Sequence, residues 1–192
     1  MTTIRPSTDY PLGNTDAEHE RLIRQAARVA PTTERFFREA GIGPGQRVLD
    51  IGSGVGDVAM LVARLVGPSG EVVAIERDPK SIAKARARVT EAGLHNVRFN
   101  ESDVGEIPDG KPFDAAVGRF ILMYLPDPVA ALRSISGLVR PEECLLFRSH
   151  PGARSLRIWR SYLFGSQRPL SLTRQCASLP ITKWERSFTT HS

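Results

Sequence analysis

The segment Val48-Leu49-Asp50-Ile51-Gly52-Ser53-Gly54-Val55-Gly56-Asp57 constrains this chain more than any other ten residues. A short apolar run enters three glycines at alternate positions and leaves into a helical pattern. A strand that turns on glycines and opens a helix begins a βαβ unit, in which ligands sit in the crevice beyond the carboxyl ends of the strands. Glycine permits the turn and lets a ligand approach the backbone with no Cβ in the way. Dinucleotide-binding turns space their glycines as G-x-G-x-x-G and seat a pyrophosphate on the helix N-terminus. Here the glycines stand at 52, 54 and 56, and the helix opens with Asp57, whose carboxylate would repel a pyrophosphate. Both features speak against a nicotinamide dinucleotide. Asp50 at the strand end is equally unsuited to a diphosphate and well suited to a cationic group, reached through water or backbone.

The rest of the chain repeats the alternation. Thr15-Asp16-Ala17-Glu18 reads as a capping box, followed by Leu22, Ile23, Ala26, Ala27 and Ala30 at helical spacing. Pro31 is expected to interrupt that helix and to start a second one, carrying Phe36 and Phe37 and ending at Gly41. Strands are expected over 47–51, 71–76, 97–100, 113–118 and 144–147. Helices are expected over about 57–66, from the Asp78-Pro79 start to Gly93, and from Asp127-Pro128 with Val129, Leu132, Ile135 and Leu138 inward. Apolar strands alternating with helices call for an α/β fold with a doubly wound, mostly parallel sheet and helices on both faces.

Acidic residues then fall where such a sheet would use them. Glu76 ends the second strand twenty residues after Gly56 and can accept both hydroxyls of a ribose, with Arg77 beside it able to lie over an adenine. After the third strand, Asp103 can accept from an adenine amino group while Val104 frames the ring.

Taken together, VLDIGSGVGD, the Glu76 strand end, Ser102-Asp103-Val104 and FDAAVGRFILMYLPDP resemble the successive motifs of class I S-adenosyl-L-methionine (SAM)-dependent methyltransferases. The similarity spans roughly residues 10–147 and is greatest to the small-molecule branch that includes ubiquinone/menaquinone-biosynthesis-type enzymes. The resemblance implies a Rossmann-like fold with SAM as cofactor. Gly52, Ser53, Gly54 and Gly56 would line its methionine moiety, Glu76 would hold the ribose, and Asp103 with Val104 the adenine. Arg119 would reach the cofactor from the facing loop, and Tyr10 with Leu12 and Gly13 would cover the site. The implied reaction is in-line attack of a substrate nucleophile on the SAM methyl group, for which the protein supplies proximity, orientation and desolvation. His19 could serve as a base but reads as a surface histidine, and Tyr124 reads as a core aromatic near the substrate. No catalytic residue is assigned.

Composition bears on compartment and partners. No stretch reaches the length of a membrane span, and MTTIRPSTDYPLGN lacks the apolar run of a signal peptide. Cys144 and Cys176 offer neither a metal spacing nor a disulfide framework, so a cytoplasmic protein without a metal is expected. Charge divides the chain: residues 1–147 carry 18 Lys+Arg and 20 Asp+Glu, a net of −2, whereas 148–192 carry 8 Lys+Arg against Glu185 alone, a net of +7. Such a stretch can be a nucleic-acid or anionic-membrane patch. Its aromatics form no stacking groove, however, and the chain lacks the Asn/Asp-Pro-Pro-Tyr/Phe motif of amino-methylating nucleic-acid enzymes.

The C-terminal segment reads instead as a departure from the family. Pro141 is followed by Glu142-Glu143-Cys144 where a Pro-Gly-Gly-type turn is usual, and too few residues remain for a helix and two closing strands. The closing strands are expected to be missing, with Leu156, Trp159 and Leu163 on one amphipathic helix. The expected organisation is a helical cover over 1–43, a SAM-binding core over 44–148 and a basic, weakly structured tail over 149–192. The expected function is transfer of a methyl group from SAM to a small-molecule acceptor. The alternatives are a SAM-binding or truncated, non-catalytic protein and, behind it, a nucleic-acid methyltransferase.

Overall fold

The computed structural model describes residues 15–148, apart from 105, 108 and 109, together with the backbone of 156–159. In chain order the elements are α1 (Asp16–Glu39), β1 (Arg47–Ile51), α2 (Asp57–Val66), β2 (Glu71–Glu76), α3 (Pro79–Glu91), β3 (Val97–Glu101) and β4 (Phe113–Arg119). A short 3-10 turn (Leu122–Tyr124), α4 (Pro128–Leu138), β5 (Val139–Arg148) and β6 (Leu156–Trp159) follow. Helices α1, α3 and α4 start where the sequence supplies a side-chain cap, whereas α2 opens directly from Gly56. Asp78 accepts from the Ser81 amide at 2.9 Å ahead of α3, and Asp127 from the Ala130 amide at 2.8 Å ahead of α4, each with proline at the next position. Thr15 accepts from the Glu18 amide at 3.2 Å, but Glu18 is gripped by Arg21 at 2.6 and 2.7 Å rather than reaching back to complete the box.

The sheet has the order β3-β2-β1-β4-β5-β6, with β1 to β5 parallel and β6 antiparallel to β5. Alternate strand residues feed two separate cores, as the pleat requires. Val48, Val72, Ala74, Ala115 and Val117 pack with Phe37 of α1, Val58 and Val62 of α2, and Ile82 and Val89 of α3. Leu49, Ile51, Val73, Ile75, Ala116 and Leu145 pack on the opposite face with Leu132 and Ile135 of α4. The doubly wound sheet with helices on both faces is thus present as expected. The order of strands reverses direction between β1 and β4, which opens a crevice at their carboxyl ends.

Three expectations are corrected. Pro31 does not end the first helix: α1 runs unbroken for 24 residues with Pro31 inside it. Its buried face, Ala26, Thr33 and Phe37, continues across the proline onto the protein core, so packing outweighs the lost backbone hydrogen bond. Thr33 adds a side-chain bond to the Val29 carbonyl at 2.9 Å in the same turn. His19 is not a surface histidine, since it is only 3% exposed. Finally, residues 156–159 form a strand, paired residue for residue from Cys144↔Trp159 to Phe147↔Leu156, where an amphipathic helix was expected. The sheet therefore does not stop at its fifth strand. A four-residue run carries too little periodicity to separate strand from helix, and here the open edge of β5 decides.

The irregular turn read at Pro141-Glu142-Glu143 lies inside β5, between Phe113↔Val139 and Ala115↔Cys144, where the register with β4 shifts. Tyr10 and the remainder of the basic tail lie outside the described residues. Among the described residues no helix is long and apolar enough to cross a membrane, and no group of His, Cys, Asp and Glu could hold a metal ion.

Candidate functional site

The crevice at the switch point is built from the ends of four strands. Past β1, the glycine loop is tied to β2 by Ser53 N–H to the Ile75 carbonyl (3.0 Å) and by Gly54 N–H to Glu76 Oε2 (2.8 Å). Glu76 Oε1 accepts from the Arg77 and Asp78 amides at 2.9 and 3.0 Å. This buried carboxylate thus receives three backbone donors, one from the loop and two from the start of α3. At the end of β3, Asp103 is exposed and accepts from the Val104 amide at 2.7 Å, while Val104 leans on the α4-side core. At the end of β4, Arg119 and Phe120 turn inward, and Phe120 has φ 65°. A bulky non-glycine residue in the left-handed region costs about 1–3 kcal/mol and marks a backbone held by its surroundings.

Two adjoining clefts occupy the crevice. One is lined by Gly52, Ser53, Gly54, Asp57, Arg119 and Phe120, with Leu22, Gln25 and Ala26 of α1 as its outer wall. The other gathers Glu76, Arg77, Asp103 and Val104 with Ile75 and Leu125. Gly52, Ile121 and Tyr124 line both, so the two are halves of one groove. The structure therefore brings together Gly52, Ser53, Gly54, Glu76, Arg77, Asp103, Val104 and Arg119 of the residues singled out by sequence. Gly56 and Asp50 are elsewhere. A Cβ on Gly56 would meet Ala85 Cβ at 3.1 Å and Phe99 Cζ at 3.3 Å, so this glycine is needed for the packing of α3 on the loop.

The sequence predicts a helical cover over 1–43 but does not single out Leu22, Gln25 and Ala26 as lining the site, although these positions share one helical face. Phe120 and Ile121 carried no such signal. Ile121 sits on Gly52, where an added Cβ would lie 2.6 Å from its Cδ1.

Charge in the crevice is arranged around two acids. Asp57, at the first turn of α2, is paired with Arg88 at 2.7 Å and lies 3.9 Å from Arg119, so the positive end of that helix already faces a carboxylate of the chain. Asp50 is different. It is 1% exposed, and neither carboxylate oxygen is hydrogen-bonded; Ser53 Oγ is likewise buried without a partner. The Ala59 amide is close enough to favour the charged form but lacks hydrogen-bond geometry. Burial pushes the Asp50 carboxyl up to about 7, against the opposing pull of Arg119 and with the help of the Glu76 charge.

That shift has a sign. An unfolded aspartate loses its proton near pH 3.9, so between about pH 4 and 7 the folded protein holds a proton that the unfolded chain has released. Stability is then expected to decline as pH rises through this window, by up to roughly 4 kcal/mol from this group. Asp50→Asn should remove the decline. Thermal melts of the two proteins without ligand should diverge from pH 4 to pH 8, the variant becoming relatively more stable, and parallel curves would assign Asp50 an ordinary titration.

Comparison with known proteins agrees with this geometry. A family model described as a methyltransferase domain matches residues 42–169. A ubiquinone/menaquinone biosynthesis C-methyltransferase, UbiE, of Ectopseudomonas mendocina is 34% identical over 137 residues, which is 68% of this chain and 54% of that protein. A solved SAM-dependent methyltransferase from Aquifex aeolicus superposes with a TM-score of 0.60 at 25% identity, over 67% of this chain and 71% of that one. The cyclase SpnF superposes with a TM-score of 0.56 at 28% identity, over 62% and 43%. The chain spans about half the length of the curated relatives it matches. The match to the methyltransferase-domain model covers two thirds of the chain and the sheet superposes on a solved SAM-dependent methyltransferase, so the chain belongs to the methyltransferase-domain family, in the class I, Rossmann-like branch.

Proposed function

We propose that this protein binds SAM in the crevice between β1 and β4 and transfers its methyl group to a small-molecule acceptor. The observation that carries this reading is the pair of unsatisfied buried groups, Asp50 and Ser53 Oγ, beneath a glycine loop whose neighbouring helix terminus is already faced by Asp57. A buried carboxylate without a partner favours a ligand with a positive end, which SAM has. A pyrophosphate would meet Asp57 first. The residues fit the cofactor in extent as well: nothing lies within 4 Å of a Cβ placed on Gly54, which leaves room for a ligand against the backbone. Ser53 and Gly54 would hold the methionine end, with Asp50 acting from beneath through water or backbone, Glu76 would take the ribose hydroxyls, and Asp103 with Val104 the adenine.

SAM supplies an activated sulfonium methyl group. The chain's own work is to orient the two reactants and exclude water, which can account for much of a methyl-transfer barrier. No general base is assigned. His19 lines neither cleft and is engaged with Ser81 at 3.2 Å. UbiE-type relatives make quinone-ring precursors a rational first acceptor panel. A cytoplasmic location fits the two scattered cysteines.

A second reading, SAM binding without methyl transfer, is favoured by SpnF, which shares this fold and is a cyclase. Calorimetric titration with SAM, with its demethylated product and with NAD in parallel tests the first step. SAM and its product should bind and NAD should not. Acceptor screening with radiolabelled methyl groups then separates the two readings, and binding without transfer to any acceptor would favour the second.

A further inference from the structure

Helix α1 forms one wall of the larger cleft, and the hold on its N-terminal half is specific. His19 Nε2 lies 3.2 Å from Ser81 Oγ, a contact between residues 62 apart in the chain. Ser81 donates its hydroxyl proton to Asp78 Oδ2 at 2.7 Å, and its amide donates to the same oxygen at 2.9 Å. A hydroxyl has one proton, and that proton is committed to Asp78, so Ser81 Oγ accepts from the imidazole and Nε2 carries the hydrogen. From Asp78 the chain of bonds continues through its own amide to Glu76 Oε1 at 3.0 Å, and from Glu76 Oε2 to the Gly54 amide at 2.8 Å. One to two helical turns beyond His19, Leu22, Gln25 and Ala26 wall the cleft over that same loop.

Among the described residues, few other polar contacts tie this half of α1 down. Lys84 and Glu20 meet at 3.1 Å, but both are solvent-exposed and such pairs contribute little. The large buried anchor of α1, Phe37, lies beyond Pro31. Proline removes a backbone hydrogen bond between the two halves of the helix and leaves a mechanically weaker joint there.

We propose that His19 is a positioning residue for cofactor binding: through Ser81 and Asp78 it latches the N-terminal half of α1 to the segment that carries Glu76, and so holds the cleft wall at the distance the cofactor needs. This rests on the SAM-binding reading above. Without the latch, residues 16–30 open about Pro31 while the rest of α1 stays docked through Phe37.

The test uses the full chain and four variants: His19→Ala, His19→Gln, Ser81→Ala and the His19→Ala/Ser81→Ala pair. Two quantities are read, the Kd for SAM by calorimetry and the hydrogen-exchange rates of the 22–30 amides without ligand. His19→Ala should raise Kd about tenfold and speed exchange by a similar factor, the size expected for one buried hydrogen bond. Amides of β1 and β4 should keep their protection. Glutamine places an N–H donor near the Nε2 position, so His19→Gln should return both quantities to within about twofold of the wild type, which a loss of mere packing volume would not predict. The double variant should be no worse than Ser81→Ala alone, since that substitution already removes the bond to His19 together with the Ser81–Asp78 bond.

Unchanged Kd and unchanged exchange in His19→Ala, or failure of glutamine to restore them, overturns the latch. Should His19→Ala unfold globally, Ser81→Ala and His19→Gln decide the question by the same two readings. A wild-type protein that binds no SAM would overturn the functional reading alone, because exchange in the 22–30 amides still decides whether the latch exists.

Discussion

Gly54→Val is expected to weaken SAM binding by roughly a hundredfold or more, equivalent to about 2.7 kcal/mol, while most of the fold persists. Two effects act together. Gly54 has φ 52°, a conformation that a β-branched residue adopts only with strain. A side chain there would also project into the open space that the cofactor must fill. Gly54→Ala separates the two, since alanine is strained less and fills less, and an intermediate loss is expected. The neighbouring glycines give the contrast. Gly56→Ala drives a methyl group against Ala85 and Phe99, and Gly52→Ala drives one into Ile121, so both should lower the melting temperature first and affinity second. Calorimetry and thermal melts on the same preparations distinguish these outcomes. Normal SAM affinity in Gly54→Val would remove the glycine loop from the cofactor site.

Glu76→Ala is expected to weaken SAM binding by about 1.5–3 kcal/mol, or roughly ten- to a hundredfold. The substitution removes a charged acceptor from two ribose hydroxyls. It also leaves the Gly54, Arg77 and Asp78 amides without their acceptor, so part of the loss arises from a loosened loop. The ligand tells the parts apart. A 2′-deoxyribose form of the demethylated product should bind the wild type less tightly than the natural product. In Glu76→Ala that preference should shrink towards nothing, because the group that reads the hydroxyl is gone. An undiminished preference would make Glu76 a structural tie for the loop, with ribose recognition residing elsewhere.

Much of the site was legible because a parallel sheet turns a one-dimensional pattern into a spatial one. Its parallel strands all end on one side, so the residues following β1, β2, β3 and β4 must meet there, whatever lies between them. Gly52, Gly54, Glu76 and Asp103 could be grouped for that reason, Ser53 and Arg119 came from the family resemblance, and the clefts contain all six. Gly56 looked identical to its neighbours in sequence. Whether a glycine faces a ligand or a helix depends on what crosses above it, and Ala85 and Phe99 arrive from outside the motif.

Local chemistry in the sequence determined the type and order of nearly every described element through β5. Caps at Asp78 and Asp127, glycine turns and apolar runs each act over a few residues, and no distant contact has to be known. Tertiary structure alone decided the rest. It kept α1 continuous through Pro31, because a buried face outweighs one missing hydrogen bond. It buried His19 against Ser81, raised the Asp50 carboxyl by desolvation, and turned Leu156–Trp159 into a strand on the open edge of β5. Each of these outcomes depends on what a residue touches across the fold, and burial and partnership are properties of the packed chain rather than of any short stretch of it.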